Sequence, residues 1–291
     1  MKLKSIKNPV LKSALALTAC TSLTAFAGSA AVESKKVVKP VEDKAWISGT
    51  LEAGYDSRYY FRGLWFADNT TWAGLNLSIP IVDNLTLGLG ALYTSTVDTP
   101  IGVGVSNQLD YSELDLIASL TYDFKAFKLG VVYTSYQFFD TFSGRTDLGS
   151  FGLGEYAVKH VNEVGVVASS SFLGANVYAG YYYDFRIGGS YIEAGADYPI
   201  KVNDWVSFIP AVKGGYGLDY YSNAHPANGG LAGGVTSGFT HLLVSMSAPI
   251  SVTKTATVTP YCAWNVSGRA RQSNNFQDNE FFGGVKVGIS F

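Results

Sequence analysis

From Trp46 to Phe291 the chain alternates apolar and polar residues with a period of two, and the charges well inside each alternating run share the polar parity. Successive side chains of a strand point to opposite faces, so such runs build sheet with one apolar face. In residues 111–122, Leu114, Leu116, Ala118, Leu120 and Tyr122 take one parity, and Glu113 and Asp115 the other. Phe127, Leu129, Val131 and Tyr133 oppose Lys128. Val177, Ala179, Tyr181, Tyr183 and Phe185 oppose Asp184. Ile192, Ala194, Ala196 and Tyr198 oppose Glu193 and Asp197, and Val206, Phe208 and Val212 oppose Lys213. Val285, Val287, Ile289 and Phe291 oppose Lys286, and Glu52 and Glu163 obey the same rule. A charge facing lipid at mid-bilayer costs about 2–4 kcal/mol, whereas one facing a lumen does not. The pattern therefore predicts an all-β, antiparallel transmembrane barrel with its apolar face outward.

Twelve runs carry the alternation, at about 46–56, 70–80, 85–95, 111–122, 127–137, 160–171, 174–185, 189–199, 204–215, 238–249, 255–265 and 280–291. Each is close to the roughly 9–11 residues that a tilted strand needs to cross a bilayer. Connections near 81–84, 123–126, 172–173, 200–203 and 250–254 are short. Those near 57–69, 96–110, 138–159, 216–237 and 266–279 are long and rich in Gly, Asn, Asp and Ser. The link at 186–188 is short where a long one is due. Short turns on one side and long loops on the other is the outer-membrane arrangement, and it predicts both termini in the periplasm. Pro80-Ile81, Pro199-Ile200 and Pro249-Ile250 each close a strand, a weak repeat whose unit is the hairpin.

Composition agrees. Hydrophobic residues make up 47% and charged residues only 15%, while aromatics reach 14%. After the leader, no apolar run approaches the roughly 20 residues of a membrane helix. Only helices and closed barrels satisfy every backbone hydrogen bond inside lipid, so a spanning chain of this kind must close. A soluble sandwich or lipocalin-like barrel also alternates, but it has less need of aromatics near strand ends. Tyr93, Tyr122, Phe124, Phe127, Phe172, Tyr198 and Trp205 are assigned to the periplasmic-side girdle.

Residues 1–30 read as a secretory signal: Lys2, Lys4, Lys7 and Lys12 precede an apolar stretch, and Ala25-Phe26-Ala27 or Gly28-Ser29-Ala30 offers the small-x-small cleavage pattern. Residues 31–45 are a short periplasmic lead-in, and 46–291 the barrel. Leu17-Thr18-Ala19-Cys20 also resembles a lipoprotein signal, which would leave Cys20 acylated. With Cys20 removed, Cys262 stands alone on an apolar face and behaves as a small hydrophobe. Residues 1–44 hold eight Lys and three acids, which leaves 13 basic and 20 acidic residues beyond them. No basic stripe exists for nucleic acid.

Two resemblances add to this reading. Val285-x-Val287-x-Ile289-x-Phe291 resembles the C-terminal signal by which bacterial barrels are recognised for membrane assembly, which implies the barrel assembly machinery as a partner and Phe291 as the assembly residue. Gly54-Tyr55-Asp56-Ser57-Arg58-Tyr59-Tyr60-Phe61-Arg62-Gly63 resembles the first strand of a family of poorly characterised bacterial outer-membrane proteins. That resemblance implies location and fold, and brings no catalytic residues with it.

The candidate lumen residues are Glu52, Asp56, Arg58, Arg62, Glu113, Asp115, Lys128, Glu163, Asp184, Glu193, Asp197, Lys213 and Lys286. Arg58 and Arg62 belong near the extracellular mouth, where they would steer an anionic solute or pair with acids such as Asp184. Small inward positions such as Gly74, Ser78, Gly90, Ser119, Thr257 and Gly288 leave space for water. The expected activity is porin-like: passive, weakly selective diffusion of small hydrophilic solutes, with a slight cation preference from the acid excess. The rival is a non-conducting surface, adhesion or scaffold barrel. A lipid-modifying enzyme would have to use His160 or His241, the third histidine, His225, being in a loop, and no enzyme is expected. No metal or other cofactor is expected, and outer-membrane lipid is the surrounding partner. The sequence is compatible with a homo-oligomer.

Overall fold

The computed structural model describes residues 46–97, 112–139, 160–186, 188–220, 237–268 and 279–291. The signal, the lead-in, Cys20, His225 and most of the long connections lie outside them. Twelve long strands form the wall: β1 (Ser48–Phe61), β2 (Leu64–Val82), β3 (Leu85–Thr96), β4 (Ser112–Asp123), β5 (Lys128–Phe139), β6 (His160–Phe172), β7 (Ala175–Asp184), β8 (Gly189–Asp197), β10 (Ser207–Leu218), β11 (Ser237–Ser247), β13 (Ala256–Ser267) and β14 (Glu280–Ser290). Two stubs, β9 (Ile200–Lys201) and β12 (Ile250–Ser251), follow β8 and β11. Each strand pairs antiparallel with its neighbours, and β1 pairs with β14, so the sheet closes on itself. Closure leaves no unpaired edge for lipid to solvate, which is the condition for spanning a bilayer with strands.

The prolines sit where their missing N–H costs least. Pro199 and Pro249 separate each stub from its parent strand. Pro80 stays inside β2, where the register shifts between Pro80 and Val82. The β6–β7 turn is two residues, Leu173 at φ 50° and Gly174 at φ 87°. Two positive φ values match the right-handed twist of a hairpin, and Gly at the second position bears one without strain.

The outer face is the apolar parity. Leu51, Leu89, Leu116, Leu120, Val131, Val166, Ile192, Val244, Val285 and Val287 are all exposed there, in a barrel whose natural solvent is lipid. Near the termini, Phe124 packs against Tyr122 and Phe127 at 4.6 and 4.9 Å between centroids, and Phe172, Tyr198 and Trp205 lie exposed nearby. Tyr93 does not belong to that girdle. It pairs with Leu114 near the far end of β3 and packs on Phe139 at 6.5 Å. β3 runs away from the termini, so a residue late in it reaches the opposite rim. Phe291 exchanges both backbone hydrogen bonds with Gly49, at 2.9 and 3.0 Å, and its ring lies against the Cβ position that Gly49 leaves empty.

The main departure from the sequence reading is at 57–69, expected as a long external loop. The β1–β14 ladder ends at Asp56↔Gly284 and the β2–β3 ladder at Thr70↔Thr96. Beyond those points, apart from a hydrogen bond from the Val97 N–H to the Asn69 carbonyl at 2.7 Å, the described ladder pairs of β1 and β2 are with each other, and the two strands turn at Arg62-Gly63, both at positive φ. The register slips between Tyr59 and Tyr60, and Asn69 takes φ 51°. Residues 59–63 are buried in an unbroken run. A strand in the wall buries every second side chain; a run buried on both faces has left the wall. The β1–β2 hairpin folds into the barrel.

Candidate functional site

The tip of that hairpin crosses the lumen and docks on the opposite wall. Arg62 Nη1 and Nη2 donate to the two carboxylate oxygens of Glu163, on β6, at 2.6 and 2.7 Å. Nη1 also donates to the Tyr220 hydroxyl, just past β10, at 2.5 Å. Both side chains of the ion pair are 3% exposed. The guanidinium carbon lies 4.8, 4.8, 4.4 and 5.1 Å from the ring centroids of Phe61, Tyr182, Tyr191 and Tyr220. Charge, forked hydrogen bonds and aromatic faces thus converge on one cation. That is the environment in which burial of an arginine is offset, because the guanidinium is weakly hydrated and its plane matches both a carboxylate and a ring.

Glycines in the wall make room for the rings. A Cβ at Gly165 or Gly180 would strike the Tyr182 ring, and one at Gly215 would occupy the Tyr191 hydroxyl. Tyr182 therefore lies flat on the wall and Tyr191 reaches across its neighbour strand. Phe61 meets Tyr136 edge-on at 5.7 Å, and the Tyr136 hydroxyl donates to Glu163 at 3.5 Å. His241, beneath Gly63, contacts the Tyr191 hydroxyl at 3.3 Å and Thr240 at 3.1 Å.

Nearer the hinge the hairpin is held by a second set of contacts. Tyr59 donates to Glu113 at 3.0 Å, and Tyr60 stacks on Phe282 at 5.1 Å. Tyr59, Tyr60 and Ala67 form an internal apolar cluster with Leu243, Tyr261, Ala263 and Phe282. Tyr261 donates to Asp56 at 2.5 Å.

The sequence-predicted charges fall as follows. Asp56, Arg62, Glu113, Asp115, Glu163, Asp184 and Glu193 are buried inside. Lys213 approaches Glu193 at 3.7 Å, and Tyr178 donates to Glu193 at 2.9 Å. Lys286 pairs with Glu52 at 2.9 Å, and Asp197 accepts from Asn176 at 2.8 Å. Asp184 accepts from the Arg186 backbone at 2.8 Å and is not the partner of Arg62. Lys128 is half-buried at the terminal end of β5, opposite Asp123. Arg58 stays at the rim, 35% exposed, bound to Glu280 at 2.7 Å and near Asp68 at 3.6 Å. Arg62 is thus spent on Glu163 in this state and is not presented to a passing anion. The sequence reading missed Tyr136, Tyr182, Tyr191 and Tyr220 as members of a site. Their signal was an unusual density of inward Tyr opposite inward Gly.

Toward the termini the interior is different. Thr50, Glu52, Thr121, Gly130, Ser169, Gly195, Thr257 and Gly288 face inward and are half-buried. The interior is polar and partly accessible at the terminal end, like a cup, with the hairpin across its depth. A separate concavity of 560 Å³ lies on the outer wall, floored by Ala196, Pro210 and Cys262 and flanked by Tyr198, Met246 and Trp264. It faces lipid, not the lumen. Among the described residues, no group of three or more His, Cys, Asp or Glu side chains is placed to hold a metal.

Neither a protein-family model nor a curated protein matches the chain. Solved structures do. An outer-membrane channel from Pseudomonas putida F1 superposes with TM-score 0.50 at 12% identity, covering 87% of this chain and 100% of that one. The translocator domain of the autotransporter NalP from Neisseria meningitidis gives 0.43 at 12% identity, covering 86% and 90%, and the NanC porin 0.45 at 10%, covering 84% and 98%. The chain has the fold of an outer-membrane β-barrel. At these identities the likeness concerns the fold alone.

Proposed function

We propose that this barrel is an outer-membrane channel for small hydrophilic solutes, with the β1–β2 hairpin as its stopper. The observation that carries this is the hairpin itself, which is hinged at the end of two ladders and held at its tip by the Arg62–Glu163 ion pair and the hydrogen bond to Tyr220. A barrel meant only as an anchor has no need of a polar, half-buried cup below the obstruction. The wall offers acids and bases interleaved, with acids in excess, which gives weak cation preference. The short turns and both termini face the periplasm, so the hairpin closes the lumen from the outside.

In planar bilayers the wild-type protein should show low and infrequent conductance. Arg62→Ala removes the tip's anchor and should raise the open probability by at least about tenfold, since a lost buried pair exceeds 1.4 kcal/mol. An Arg62→Ala barrel that is folded and still silent would favour the anchor reading, in which the lumen is filled for good. Orientation has its own check: a cysteine at Asp219 should react with an impermeant maleimide on intact cells and one at Asn203 should not. The reverse labelling would invert the topology.

A further inference from the structure

The groups that hold Arg62 belong almost entirely to the barrel and not to the hairpin. Glu163 is on β6, Tyr136 on β5, Tyr182 on β7 and Tyr191 on β8, while Tyr220 follows β10 directly. Among the described contacts of the guanidinium, Phe61 is the one that would leave with the tip. The wall pocket is thus built independently of its occupant, by strands fixed in the ladder and by the glycines at 165, 180 and 215 that seat the rings. Tyr182 is 4% exposed, and its hydroxyl has no hydrogen-bond partner among the described residues, so a polar group is left over beside the cage.

We propose that this wall pocket is a binding site for solutes bearing a guanidinium group, and that Arg62 is its tethered occupant. The chemistry selects guanidinium over other cations. Glu163 presents both oxygens to a planar fork, which an ammonium cannot match with two parallel bonds. Tyr182, Tyr191 and Tyr220 offer ring faces to the delocalised charge. Tethering gives Arg62 an effective concentration in the millimolar range or above, so a free solute at low concentration does not displace it. A solute arriving at high local concentration competes with the tip and holds the hairpin away. The site rests on the channel reading only for how a solute reaches it. Binding itself is read without any current.

The test uses Arg62→Ala and the milder Arg62→Gln, each followed by the temperature at which the folded, heat-modifiable band is lost. Guanidinium chloride at low millimolar concentration, far below denaturing levels, should raise that temperature saturably by about 2–4 °C relative to equal sodium chloride. Tetramethylammonium chloride should give less than half that rise, because it can lie against the rings but cannot form the fork. Adding Glu163→Gln to either variant should abolish the response, and wild type should not respond over the same range. A guanidinium effect no larger than that of sodium, or one that survives Glu163→Gln, overturns the proposal. Because the readout is melting, a silent channel that still binds guanidinium would sink the channel reading alone.

Discussion

Glu163→Gln is expected to release the hairpin. The carboxylate accepts two hydrogen bonds from a buried guanidinium set in a ring of aromatic faces, and removing one member of a buried pair costs about 3–5 kcal/mol. In a rigid core that cost would appear as global destabilisation. Here the chain has a cheaper escape, because beyond Asp56 and Thr70 the hairpin is no longer in ladder register with β14 or β3 and can carry Arg62 back to water. The measurement is therefore exposure of the hairpin. Ala67 is 1% exposed; as Ala67→Cys, with Cys20 and Cys262 replaced by serine, it should resist a polar thiol reagent in the otherwise wild-type barrel. Adding Glu163→Gln should speed its labelling at least about tenfold, since the docked state loses more than 1.4 kcal/mol. Arg62→Met with Glu163→Leu should label slowly again, since an apolar pair of similar volume replaces the desolvated charges. Fast labelling in that double variant would mean that the ion pair's geometry, and not merely a filled pocket, holds the tip.

Leu89→Arg should cost about 2–4 kcal/mol and strongly lower the folded, heat-modifiable fraction. Leu89 lies midway along β3 on the outer face, 40% exposed to what is lipid in the membrane, where an arginine finds no counter-ion and no water. Thr257→Lys, inward and half-buried in the polar cup, should leave folding close to wild type and act on ion selectivity instead. Equal losses for the two substitutions would contradict the assignment of faces, since a one-residue slip of register exchanges every inside and outside position.

The sequence by itself determined the barrel. Alternation with charges confined to one parity admits a strand with one face in lipid and one out of it, and nothing in that argument needs a three-dimensional contact. Glu113 and Asp115 against Leu114 and Leu116 are enough to orient β4. The strand count followed because each run ends where polar, Gly-rich or Pro-marked connections interrupt the period. What the alternation could not supply was any statement about where a hairpin goes once its wall neighbours end. Residues 57–69 read the same in sequence whether they stand upright above the membrane or fold inward, because both are the same two-stranded ribbon locally. The decision lies in partners far away in the chain: Glu163, Tyr182, Tyr191 and Tyr220 stand 101 to 158 residues from Arg62 at the ends of that span. They meet it only after twelve strands have closed into a ring and placed β6, β7 and β8 across from β1. Parity told which side of the wall each charge takes. Only closure, and the glycine recesses that let tyrosine rings lie flat on it, decided that Arg62 would reach the other side.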